Sequence, residues 1–132
     1  MRLPATREFE TFHEMVSVLA ANTPHALVQD WWARLEGQIR RICIRLGAHA
    51  RTSVATQIDT YLVPALGLST EIVAELHTMR QLRNQCAHGE APSISRDEAS
   101  TFAHRAWAMA WGITETFDRL SSNNLLEQTR EA

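Results

Sequence analysis

The chain contains no lysine. All 13 of its basic residues are arginine, set against 15 carboxylates for a formal charge of −2. That balance excludes a strongly basic, non-specific nucleic-acid binder but leaves room for a local arginine patch. There are only two cysteines, Cys43 and Cys86. Both fall inside predicted helices without the spacing of a disulfide framework, so they read as reduced, packed thiols. No apolar run approaches the ~18 residues of a membrane span, and residues 1–8 lack the apolar segment of a secretory signal. The expectation is a cytoplasmic protein with no membrane partner. Glycine-rich phosphate loops, internal repeats and alternating strand patterns are all missing. Acidic and histidine residues are scattered rather than spaced as metal ligands, so neither a metal nor a cofactor is expected.

What is present is an ordinary globular composition, 45% hydrophobic and 21% charged in 132 residues. That is one domain, long enough to bury a core of its own. Hydrophobic periodicity predicts five helices and an all-α antiparallel bundle, with the core in residues 7–121 and a loose tail over 122–132. The first helix spans about 7–21, with Phe9, Phe12, Val16 and Leu19 inward. Thr23 caps the second, which starts at Pro24 and is stopped by Gly47. Its inner face is broad: Val28, Trp31, Trp32, Leu35, Ile39 and Ile42, continuing through Cys43 and Leu46. A polar connection over 48–52 leads to a shorter third helix carrying Val54, Ile58, Tyr61 and Leu62, broken by Pro64 and Gly67. Ser69 and Thr70 are candidate caps for the fourth. Ser95-Arg96-Asp97-Glu98 is a capping box for the fifth, which ends at about Ser121. Ala99, Phe102, Ala106, Met109, Ile113, Phe117 and Leu120 face inward there, and Trp107 and Trp111 form a second apolar stripe.

The stretch Leu82-Arg83-Asn84-Gln85-Cys86-Ala87-His88-Gly89 closes the fourth helix and concentrates its chemistry. Ile72, Leu76, Met79 and Cys86 mark the inner stripe, and Arg83 lies on it where a core helix would carry leucine. A guanidinium is always charged and costly to bury unpaired, so Arg83 requires a carboxylate or a cleft open to an anion. Arg80, Asn84 and His88, four residues apart, form a polar stripe beside it. Gly89 then supplies the left-handed residue that ends a helix.

This string resembles the signature of the HEPN superfamily, small helical domains of prokaryotic toxin, defence and RNA-processing proteins. Its hallmark is an Arg, four to six residues, then a His, often with a polar residue after the Arg; Arg83, Asn84 and His88 fill those places. Arg7 and His13 also match the bare spacing and are read as accidental. Pro24 followed by Trp31, Trp32, Leu35 and Glu36 is a second, less specific likeness. The resemblance covers residues 7–121. It implies a metal-independent endoribonuclease, a toxin or defence effector, in which a homodimer brings two motifs together, with Arg83, His88 and Asn84 catalytic. It also implies that an antitoxin or nucleotidyltransferase partner is a separate chain. The tyrosine that follows the His in some toxin subfamilies is absent, since Gly89 and Glu90 stand there.

The chemistry suits those residues. When a 2′-hydroxyl attacks the adjacent phosphate, an imidazole can take its proton or protonate the leaving oxygen, and a forked guanidinium stabilises the phosphorane charge. Asn84 can orient the imidazole or donate to phosphate. Arg80, with Arg34, Arg41 and Arg45 on one ridge of the second helix, can hold the RNA backbone. An ideal helix sets Arg83 and His88 about 140° apart, so a composite site needs a distorted last turn or a second subunit. Plainer alternatives remain for each residue. Arg83 can pair with Glu36, His88 can offset the helix dipole, the arginine ridge can be a solvated face, and the four tryptophans can be core or dimer contacts. A zinc site from Cys86, His88 and Cys43 or His49 lacks paired ligand spacing. A non-catalytic HEPN domain, binding RNA or protein as a dimer, is the alternative function.

Overall fold

In a computed structural model, backbone is described for residues 6–88 and 93–131 and side chains for 7–88 and 93–123. Five helical runs account for nearly all of it: α1 (Thr6–Asn22), α2 (Pro24–Arg45), α3 (Val54–Gln57 continuing through Ile58–Leu62 and Val63–Leu66), α4 (Thr70–Ala87) and α5 (Arg96–Glu131). No strand occurs among the described residues, and no helix there is long and apolar enough to cross a membrane.

α2 is the central helix and packs against each of the others, most extensively against α5. Its predicted inner face is buried from Val28 to Cys43, with Leu46 half-buried at its end. α5 opposes it with Ala99, Ala103, Ala106, Met109 and Ile113, all essentially inaccessible. Three alanines in that stripe let the backbones approach and leave volume for Trp31 and Trp32. The α1 face differs from expectation. Phe12, Val16 and Ala20 are buried, while Phe9 and Leu19 are each 37% exposed. A strict step of four follows the α1 seam, and Phe9 sits at its edge, its ring stacked 5.8 Å from that of Trp107. Trp111, expected to meet a neighbour, is 42% exposed.

Helix ends show which local signals act. Ser69 Oγ accepts from the Ile72 amide at 3.3 Å, and Ser95 Oγ accepts from that of Glu98 at 3.0 Å, the first half of the expected capping box. Thr23 does not cap α2: its hydroxyl donates back to the Leu19 carbonyl of α1 at 3.2 Å. Gly47 (φ 105°) and Gly67 (φ 65°) take the left-handed conformations that end α2 and α3. Gly89, the expected stop of α4, lies outside the described residues, as do Glu90, Ala91 and Pro92. Pro64 does not break α3. The helix widens to π geometry over Ile58–Leu62, with the Val63 amide bonding to the Ile58 carbonyl. That widening accommodates a ring that would clash with the carbonyl four residues back in a regular helix. α5 passes Ser121 and continues to Glu131, because residues 122–131 hold no glycine or proline to stop it.

The connection between α2 and α3 is held by polar groups under it. Gln57 is fully buried, its Nε2 donating to the carbonyls of His49 and Thr52 at 3.3 and 3.2 Å. Arg40 Nη1 donates to the same Thr52 oxygen at 2.9 Å. Gln57 Oε1 has no partner among the described residues. Replacing Gln57 with alanine removes the amide donor from the His49 carbonyl and leaves that of Thr52 to Arg40, and Gln57→Ala is expected to lose about 1–3 kcal/mol in urea unfolding. Arg51→Ala, exposed in the same connection, should stay within about 0.5 kcal/mol.

Candidate functional site

The fully buried residues of α4 are Leu76 and Met79 alone. Beyond Met79 the inner stripe continues through Leu82, Arg83 and Cys86, which are only half-buried. Arg83 therefore stands where the core runs out, still on the inward side of its helix. Its Nη1 donates to Asn84 Oδ1 at 3.1 Å. Because a guanidinium only donates, this contact fixes the Asn84 amide with its oxygen on Arg83 and its NH₂ group turned away from it. No carboxylate among the described residues lies within ion-pair distance of Arg83. Glu36, the alternative partner, is instead 3.9 Å from Arg40. Arg80, one turn earlier, is half-buried, and its buried Nε has no acceptor among the described residues. His88 is exposed at the end of α4 (φ −95°, ψ 6°), its amide donating to the Asn84 carbonyl at 3.1 Å.

Three of the four polar side chains at this end are thus donors with unused capacity, close to one another along the last two turns. The helix stays regular through Ala87, so Arg83 and His88 keep their wide angular separation. Among the described residues no hydrogen bond joins them.

The arginines of α2 belong elsewhere. Arg34 and Arg41 line a groove of about 610 Å³ between α2 and α5, with Trp31, Trp107 and Trp111 as its apolar walls. Arg34 lies over the Trp31 ring, 4.9 Å from its centroid, and bonds Asp30 at 3.2 Å. Arg45 lies 5.0 Å over the Phe117 ring. Among the described residues Arg41 has no such partner. No α4 residue lines this groove. On α5, Trp107 and Arg105 leave the helix about 160° apart at ~100° per residue, and Arg105 grips Glu75 of α4 in a bidentate pair at 2.6 and 2.9 Å. That grip raises the Arg105 pKa further. The predicted RNA-binding set therefore divides, with Arg80 beside the motif and Arg34, Arg41 and Arg45 on a different side of the bundle.

Thiol chemistry has no support. Burial pushes the pKa of Cys43 up, with nearby Arg40 opposing, and burial likewise raises that of Cys86. Cys43 Sγ donates to the Gln57 carbonyl at 3.5 Å. Among the described residues no three His, Cys, Asp or Glu side chains gather as metal ligands. Periodicity within single helices missed the Arg105–Glu75 pair, the buried Gln57 and a His13–His104 contact, since each depends on how separate segments meet.

Comparison with protein-family models, curated proteins and solved structures finds no match to this chain.

That no carboxylate among the described residues pairs with Arg83 has a measurable consequence. Arg83→Ala strands no buried charge, so it is expected to stay folded and lose less than about 1.5 kcal/mol. A structural ion pair would cost about 3–5 kcal/mol when broken. Thermal melts beside the parent chain distinguish the two.

Proposed function

We propose that the chain is a HEPN-type, metal-independent endoribonuclease that acts as a homodimer, a toxin or defence effector of the cytoplasm. The observation that carries this reading is Arg83: inward-facing, half-buried, free of any described carboxylate and bonded to Asn84, one turn before an exposed His88. A cation desolvated to that degree without an acid partner suits an anion brought from outside the chain, and a phosphodiester is the anion an imidazole can help cleave. In this reading the 2′-oxygen gives its proton to one His88 imidazole as it attacks phosphorus. Arg83 steadies the charge on the phosphorane, Asn84 donates to a phosphate oxygen, and Arg80, half-buried one turn earlier, holds the backbone through the outer end of its guanidinium. The leaving 5′-oxygen takes a proton from a second imidazole. One imidazole cannot serve as base and acid in the same step, which calls for the partner's motif across a two-fold axis.

The separation of Arg83 from His88 within one chain favours a second reading, a non-catalytic HEPN dimer that binds RNA or protein. There the exposed Arg41 and Trp111 of the groove do the binding, with Arg34 and Arg45 on the same ridge of α2, by phosphate contact and base stacking.

Incubation of the purified chain with mixed RNAs in EDTA separates the readings. Cleavage is expected to survive chelation. Arg83→Ala and His88→Ala should each reduce it by about 10²–10⁴-fold while staying folded, and the double variant should lose little more. A folded His88→Ala that still cuts, or activity that returns only with magnesium, sinks the catalytic reading. Arg41→Ala should weaken RNA retention with cleavage chemistry intact. Sedimentation at micromolar concentration should show a dimer, and a monomer alone would remove the composite site.

A further inference from the structure

Two imidazoles join α1 to α5. His13 Nδ1 lies 3.1 Å from His104 Nε2, across 91 residues of sequence. The other nitrogen of His104, Nδ1, is 2.7 Å from the Ser100 carbonyl oxygen. A carbonyl oxygen only accepts, so Nδ1 of His104 carries the proton and its Nε2 presents a lone pair towards His13. This is how metal-binding histidines are held: an acceptor behind the ring sets its tautomer and orientation. Aromatic neighbours fix the rings further. Phe12 meets His104 edge-on at 5.2 Å, and Phe9 stacks on His13 at 6.2 Å.

We propose that His13 and His104 form a two-imidazole chelate for a divalent transition-metal ion, strongest for copper(II) and weaker for nickel and zinc, that clasps α1 to α5. Imidazole nitrogen is a ligand of choice for all three, and the affinity order follows from the ions themselves. With metal–nitrogen bonds of ~2.0–2.1 Å, nitrogens 3.1 Å apart subtend about 98° at the ion. That bite is near the right angle of a tetragonal copper(II) site. Binding opens the existing N–H···N hydrogen bond. The His13 proton moves from Nδ1 to Nε2, and both lone pairs turn to the metal. No net proton is released and nothing is oxidised or reduced. Among the described residues no third His, Cys, Asp or Glu completes the set, so water fills the remaining positions and the ion exchanges freely. His13 is exposed, which gives the ion its path.

The clasp has a structural effect. α1 is held through Phe12, Val16 and Ala20, with Met15 and Val18 left to solvent. A metal bridge adds a second attachment beside Phe9 and Trp107, the latter a wall of the α2–α5 groove. It is independent of the ribonuclease reading, because neither Arg83 nor His88 takes part.

The test titrates copper(II) and, separately, zinc into the full chain. One equivalent of copper(II) with two imidazole nitrogens in its electron paramagnetic spectrum is expected, and zinc should raise the melting temperature. His13→Ala and His104→Ala should each weaken zinc binding by at least about tenfold in calorimetry and abolish the thermal shift, while His49→Ala changes neither. His13 is exposed, so its variant retains the fold and carries the test even if His104→Ala unfolds. Unchanged affinity in His13→Ala, a single-imidazole spectrum, or no binding at ~100 μM metal overturns the proposal.

Discussion

The burial of α2 is the constraint on which the rest of the structure depends. Its apolar face is too wide for one neighbour, running from Trp31 around through Leu35 and Ile39 to Cys43, all buried. Burying each such side chain stabilises the fold by roughly 1.5–3 kcal/mol, and together they require cover from several directions. α5 supplies the largest share because its alanines allow close approach. α1, α3 and α4 complete the enclosure. The π turn in α3 belongs to the same solution: it keeps Ile58 and Leu62 against α2 while the chain passes Pro64.

That arrangement decides where polar side chains can do work. α4 contributes only two fully buried residues, so its last two turns extend beyond the core with Arg80, Arg83 and Asn84 partly desolvated. Partial desolvation matters because an arginine in open water binds a phosphate weakly, whereas one screened from solvent binds more strongly and with a defined geometry. The groove between α2 and α5 is a different environment. There Arg34 already rests on the Trp31 ring, while Arg41 meets no ring or carboxylate among the described residues and Trp111 is 42% exposed. The Glu75–Arg105 pair ties α4 to the flank of α5 turned away from that groove. The two polar regions are thus separated by the helix that both lean on.

Much of the architecture was legible from residue patterns because it rests on short-range geometry. α2 and α5 have long apolar stripes, and nearly every residue expected inside them is inside. Gly47 and the Ser69 and Ser95 caps act within a few residues of themselves and were readable for that reason. Errors arose where a local signal had a competitor. Thr23 has the right chemistry for a cap, but its hydroxyl finds the Leu19 carbonyl of the preceding helix. Phe9 and Leu19 fit an apolar period, yet the seam of α1 follows Phe12, Val16 and Ala20. Nothing after Ser121 signals a stop, and α5 continues.

The sequence alone determined the all-helical class, the inner faces of the two longest helices, and the presence of Arg83, Asn84 and His88 on the final turns of α4, since all three follow from a 3.6-residue repeat. Tertiary structure alone decided that Arg83 meets no described carboxylate, that Glu36 turns to Arg40, and that Arg34 and Arg41 share a groove with tryptophans of α5. It alone brought His13 to His104 and Gln57 beneath the α2–α3 connection. Periodicity says which side of a helix a residue occupies. Which partner waits on that side depends on segments tens of residues away, set by how the apolar faces close around α2.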